Sequence, residues 1–143
     1  MDLLDVNVLL HAHREEQPEH EPIRSWLEER ISEQRPFGVP SLVFSGFLRI
    51  ATNPRAFRSP TPLETALEVV ESIRSQPNCV AVEPGARHWP IFVDLCRRLR
   101  ARANVVPDAY LAAMAIESDS DFVSTDRGFG GFPGLRWRHP VDP

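Results

Sequence analysis

The first ten residues, MDLLDVNVLL, constrain this chain more than any other stretch. Met1 to Leu4 are apolar apart from Asp2, Asp5 and Asn7 follow, and a second apolar run starts at Val8. A short apolar run without a central charge reads as a strand buried on both faces, as in an α/β sheet covered by helices. Asp5 then stands at the carboxyl end of that strand, with Asn7 in the turn into a helix. Open α/β sheets take their ligands in the crevice outside the carboxyl ends of their strands. A carboxylate there is held at the mouth of a crevice, because burying it bare would be costly. Asp5 or Asn7 is equally suited to capping the following helix. The meaning of this stretch therefore depends on acids elsewhere.

The rest of the chain alternates in the manner of such a sheet. Asn7 to His13 reads as a short helix; His11 and His13 lie two apart and so face different ways rather than pairing on a metal. A second helix spans roughly Glu19 to Glu33, with Ile23, Trp26, Leu27 and Ile31 at helical spacing and Pro22 in its first turn. Phe37 to Val39 is a short strand. Ser41 is placed to cap a helix that is apolar nearly all round and stops at Asn53-Pro54. Thr61-Pro62 with Glu64 has the form of a capping box for a helix running to about Ser75. Cys79 to Val82 is a strand, and Arg87 to Arg102 a helix. Asn104 to Pro107 connects to a helix of small residues from Asp108 to Ser118. Strands follow at Asp121 to Ser124 and at Leu135 to Arg138, on either side of the glycine-rich RGFGGFPG. This order predicts a single domain, residues 1–143, built as an α/β/α sandwich around a mostly parallel sheet of four to five strands.

Three acids fall at equivalent kinds of position. Asp5 ends the first strand, Asp108 opens a helix after a proline, and Asp126 follows the strand FVST. In a parallel sheet they converge on one crevice. Carboxylates gathered at one place repel one another unless a hard divalent cation compensates them. Mg²⁺ and Mn²⁺ take oxygen ligands and are commonly held by carboxylates with waters and phosphate oxygens. Such a site activates water for in-line attack on a phosphodiester. Asn7 and Thr125 are placed to hydrogen-bond the carboxylates or a bound water. Asp108 also serves as an ordinary helix cap.

Charge and composition narrow the alternatives. The formal net charge is −4, all sixteen basic residues are Arg, and there is no Lys. That excludes a P-loop lysine and a Schiff-base lysine. It leaves the residue best suited to bidentate phosphate contacts. The two cysteines, Cys79 and Cys96, have no partner at metal-ligand spacing and fit reduced, buried thiols of a cytoplasmic protein. No apolar run approaches membrane-spanning length, and no basic segment precedes an apolar one as in a signal peptide.

The segments DVNVLL, FLRIATNPRAF, NVVPDAYLAAMAIE and VSTDRGFGGFPGLRW resemble the PIN-domain ribonuclease toxins of VapC type, and the resemblance runs from Asp2 to Pro140. It implies an α/β/α sandwich with a parallel sheet and Mg²⁺- or Mn²⁺-dependent endoribonuclease activity. It also implies a homodimer and a cognate VapB-type antitoxin that blocks the site. Asp5, Asp108 and Asp126 match the family's first, third and fourth acids, with Asp5 and Asp108 the foremost metal ligands.

Two departures stand out. The family's glutamate in the helix after the second strand falls at Ser45-Gly46, where no carboxylate is present. Glu117, nine residues after Asp108, is on the opposite face of its helix and cannot replace it. An acid also expected soon after Asp126 is replaced by Gly128-Phe129. The RNA would be single-stranded or looped and held by arginines: Arg49, Arg55, Arg97, Arg98, Arg127 and Arg138. Their alternative role is solvated surface. A PIN-like RNA-binding or interaction module without strong catalysis is the competing expectation. A phosphatase that also begins with a strand ending in Asp is disfavoured, because its second Asp is replaced by Asn7 and its lysine is absent.

Overall fold

The computed structural model describes residues 1–142. Strand β1 (Asp2–Leu4) lies at the centre of a five-stranded sheet of order β3-β2-β1-β4-β5. The other strands are β2 (Phe37–Pro40), β3 (Cys79–Val82), β4 (Asp121–Val123) and β5 (Trp137–Arg138), and every pairing is parallel. Two helices cross over between each of the first four strands. Helices α1 (Val6–His13) and α2 (His20–Ser32) link β1 to β2, and α3 (Ser41–Ala51) and α4 (Leu63–Arg74) link β2 to β3. Helices α5 (His88–Leu99) and α6 (Val105–Glu117) then return the chain to β4 on the other side of β1.

The two helical layers follow from the period-two alternation of the central strands. Leu4 and Val123 face the layer of α1 to α4, where Val8, Ile23, Phe37, Phe47 and Val70 pack. Leu3 and Phe122 face α5 and α6, against Phe92, Ala112, Met114 and Phe129. Phe47 and Phe122 are fully buried, each worth about 1.5–3 kcal/mol in removed apolar surface. Close packing explains two composition features. Ala109, Ala112, Ala113 and Ala115 have no exposed surface and let α6 lie near the sheet. In β2, a Cβ on Gly38 would stand 2.7 Å from the Val82 side chain, so that strand needs glycine.

Several local expectations are corrected. Ser41 does not cap α3 with its side chain; Pro40 holds the cap position, and the Ser41 amide donates instead to Glu83 Oε1 at 3.2 Å. Thr61 does not form a capping box on α4. Its hydroxyl is bonded to His13 Nε2 (3.0 Å) and to Arg14 Nη1 (3.1 Å), tying the loop after α3 to α1. For Thr61 a tertiary partner outcompeted the local amide, whereas at Ser41 the Glu83 carboxylate satisfies a first-turn amide from outside the helix. Helix α5 ends at Leu99 because Arg100 takes a left-handed φ of 48°, so Arg102 lies beyond it. Helix α6 begins at Val105, with Pro107 inside its first turn where a missing amide costs nothing. Asp108 is therefore in that turn and does not open the helix. Asn7 lies inside α1, the RGFGG stretch forms a 3₁₀ turn (Arg127–Gly131), and β5 is shorter than expected. Cys79 and Cys96 are free but only half-buried.

Candidate active site

The sheet grows from β1 through β2 to β3 and then returns to β4 beside β1. The reversal leaves a crevice between the carboxyl ends of β1 and β4, the position where doubly wound sheets bind ligands. The chain delivers Asp5 from β1 and the segment Ser124–Asp126 from β4 to that place.

Asp5 does two jobs at once. It is the N-cap of α1, its Oδ1 accepting the Val6 amide at 2.7 Å. Its Oδ2 accepts the Ser124 hydroxyl at 2.7 Å and the Asn7 side-chain amide at 3.1 Å. Ser124, fully buried, also accepts the Asp126 amide (3.0 Å) and the Asn7 Nδ2 (3.0 Å). Asn7 Oδ1 accepts the Thr125 backbone amide at 3.0 Å. Thr125 thus supports the site through its main chain, and the hydroxyl that does so belongs to Ser124. Sequence reasoning passed over Ser124. The available signal was a hydroxyl at the end of a buried strand, two residues before an acid.

Asp126 caps the 3₁₀ turn, its Oδ1 accepting the Gly128 amide at 2.8 Å. Asp108 approaches from α6. The three acids line one cavity of about 410 Å³, together with Asn7, Ser45, Gly46 and Arg49. Burial pushes the Asp5 carboxyl up to about 6, with Asp108 and Asp126 adding repulsion and the Ser124 and Val6 bonds opposing. Asp108 is also raised, by burial and then by Asp126. Among the described residues no three His, Cys, Asp or Glu side chains close into a ready-made metal cage. The donor set is oxygen only and mutually repelling. That chemistry fits a hard divalent ion that keeps several waters.

Ser45 and Gly46 line the crevice where a further acid was expected. Glu117 is at the far end of α6, where its carboxylate accepts the amides of Gly85 (2.6 Å) and Arg87 (2.8 Å). Of the six candidate arginines only Arg49 lines the crevice. Arg98 pairs with Asp94, Arg127 with Asp142, and Arg138 with the buried Asp2. Arg55 and Arg97 are exposed, on the loop after α3 and near the end of α5.

Fold and site define an α/β/α domain of the nuclease type, with an acidic crevice at the turning point of its sheet. The PIN domain family profile matches residues 3–134. Ribonuclease VapC43 of Mycobacterium tuberculosis is 42% identical over 139 residues, covering 97% of this chain and 95% of the relative. Ribonuclease VapC25 of the same organism is 41% identical over 140 residues, covering 98% and 99%. The chain belongs to the PIN-domain family and, within it, to the VapC ribonucleases. Solved structures agree on the fold. VapBC2 from Rickettsia felis bound to a promoter DNA fragment superposes with a TM-score of 0.71 at 15% identity, covering 96% and 97%. VapC20 of Mycobacterium tuberculosis, a sarcin-ricin loop cleaving toxin, gives 0.67 at 14% identity, covering 95% and 99%.

Proposed function

We propose that this chain is a divalent-metal-dependent endoribonuclease acting as the toxin of a type II toxin–antitoxin pair. The gathering of Asp5, Asp108 and Asp126 on one crevice, with carboxyl groups raised by burial and by one another, carries the site assignment. Asp5, Asp108 and Asp126 would hold Mg²⁺ or Mn²⁺ through oxygen atoms and waters. A bound divalent ion supplies charge compensation and activation of water for attack on a phosphodiester. The chain's own residues do the positioning. Ser124 and Asn7 fix the Asp5 carboxylate from two sides, the α1 amide of Val6 fixes its other oxygen, and Asp126 is oriented by the 3₁₀ turn that it caps. The crevice lies at the carboxyl ends of β1 and β4 and has a volume of about 410 Å³.

A VapB-type antitoxin and a second copy of the chain are the proposed partners. The VapBC complexes of Rickettsia felis and Salmonella typhimurium, whose toxin chains share this fold, support the first. A mostly apolar groove adjoining the crevice, lined by the exposed Leu42 and Val106 with Phe92, Tyr110 and Met114, supports a homodimer. No helix among the described residues is long and apolar enough to cross a membrane, in keeping with action on RNA in the cytoplasm. A weakly active or inactive RNA-binding module remains the second reading, favoured by the missing acids at Ser45-Gly46 and Gly128.

The deciding experiment uses the purified chain free of antitoxin. Calorimetric titration with Mg²⁺ or Mn²⁺ is paired with cleavage of a random-sequence RNA pool, for wild type, Asp5→Asn and Asp108→Asn. Metal binding and cleavage that both disappear in the variants support the nuclease. RNA binding without cleavage, indifferent to either substitution, supports the module.

A further inference from the structure

We infer that Arg49 is the phosphate-binding cation of the acidic crevice, taking up charge that a second metal ion would otherwise neutralise. The inference rests on the ribonuclease reading above. Its starting point is a charge balance. Three carboxylates line the crevice, and the positions where further ligands were expected hold Ser45, Gly46 and Gly128. One divalent ion against three carboxylates leaves a net negative charge. A phosphodiester entering there brings another, and more develops on its oxygens as the bond breaks. A positive group must face the phosphate from the protein side.

Arg49 is the one basic side chain in the crevice lining. It lies on α3 one turn beyond Ser45, so the two share a helix face. Arg98, Arg127, Arg136 and Arg138 are each engaged by an acid, whereas Arg49 has no ion-pair partner among the described residues. Its side chain is exposed. A guanidinium in that position presents a planar fork that matches two phosphate oxygens. Its alternative role is to complement the carboxyl end of α3, which any surface arginine there would do.

The test compares Arg49→Gln and Arg49→Lys with wild type and with Arg74→Gln, whose guanidinium pairs with Glu71 and does not line the crevice. Steady-state cleavage of a random-sequence RNA pool with Mg²⁺ gives kcat and KM. Metal-free binding of a uridine oligonucleotide over a range of salt gives the number of phosphate contacts. Arg49→Gln is expected to lower kcat by about a hundredfold, the usual effect of losing one donor to a developing oxyanion. KM should change little by comparison. Arg49→Lys should recover part of the rate, keeping the charge and losing the fork. The salt slope for Arg49→Gln should be shallower by about 0.7, one phosphate contact on a single strand. Arg74→Gln should match wild type throughout. Calorimetry should show Mg²⁺ bound by Arg49→Gln at least as tightly as by wild type. Wild-type kcat and slope in Arg49→Gln overturn the proposal, as does weakened Mg²⁺ binding, which would mean that Arg49 only props the acids. A wild-type chain that cuts no RNA refutes the ribonuclease reading instead, and the salt slope still decides Arg49: an unchanged slope overturns it.

Discussion

The Ser124 hydroxyl donates to the Asp5 carboxylate at 2.7 Å across 119 positions of chain, in a place where Ser124 has no exposed surface. This bond joins the carboxyl ends of the two strands that flank the crevice. It also receives the Asp126 amide and the Asn7 side chain, so one oxygen organises three of the site's groups. Ser124→Ala would leave those donors unmet and the Asp5 carboxylate short of one. The expected loss is about 1–3 kcal/mol of stability. Metal affinity should also fall by about tenfold or more, as for other residues that orient ligands. Urea denaturation and Mg²⁺ calorimetry measure the two effects. Unaltered metal affinity would remove Ser124 from the site.

The raised Asp5 carboxyl gives a pH signature. The group ionises at its ordinary value of 3.8 when unfolded and at about 6 when folded. Between those values the folded chain binds the extra proton, so the contribution of Asp5 to stability falls as pH rises through that window. His11 and His13, pushed down by burial, act in the opposite sense over part of the same range. The difference between Asp5→Asn and wild type cancels the histidines. Without metal, the variant's relative stability is expected to improve by about 2–3 kcal/mol from pH 4 to pH 7, the equivalent of the shift. Chemical denaturation at several pH values reads it, and a difference that stays constant with pH contradicts the burial argument. Mg²⁺ affinity of the wild type should rise over the same interval, because metal and proton compete for the carboxylate.

The acid missing from α3 can be put back. A Cβ on Gly46 would meet only the Val6 side chain, at 3.6 Å, an ordinary contact. Gly46→Glu should therefore fold, with better helix propensity than glycine. Its carboxylate would enter the crevice lining, and Mg²⁺ should bind about tenfold more tightly, since ligand charge count tunes such sites. Calorimetry that finds weaker or unchanged binding would show that position 46 does not address the metal.

Arg138 separates structure from RNA contact. Its guanidinium pairs with Asp2 Oδ2 at 2.6 Å and lies 5.6 Å from the Trp26 ring. Asp2 is buried while Arg138 is part-exposed. Arg138→Ala would strand the Asp2 carboxylate, at a cost of about 1–2 kcal/mol, below that of a wholly buried pair because solvent screens the arginine. Arg55→Ala should cost almost nothing. The slope of RNA binding against salt should not move in Arg138→Ala. A shallower slope would assign Arg138 a phosphate contact as well.

Much of the fold was legible in local pattern. The apolar run at residues 1–4 marked a strand buried on both faces, residues 121–124 marked a further strand, and the small-residue run from Ala109 to Ala115 marked a helix packed close to the sheet. The caps were the weak point. Ser41 and Thr61 fit the local rule for helix starts, yet the Ser41 amide went to Glu83 and the Thr61 hydroxyl to His13 and Arg14. Capping rules weigh near neighbours only, and a distant partner of equal chemistry replaces them without a trace in sequence.

The sequence by itself determined the strand–helix alternation and the acids Asp5 and Asp126 at element ends, because both depend on side-chain period and residue type within a few positions. Only the tertiary structure decided that β4 lies beside β1 rather than beside β3. That neighbour relation brings Asp126 and Ser124 to Asp5, and it is set by which pair of helices covers each face of the sheet. It also chose Arg49 alone of six arginines for the crevice. A side chain's chemistry is written in its identity, but its charge is spent on whatever stands within a few ångströms, and distance along the chain does not reveal that.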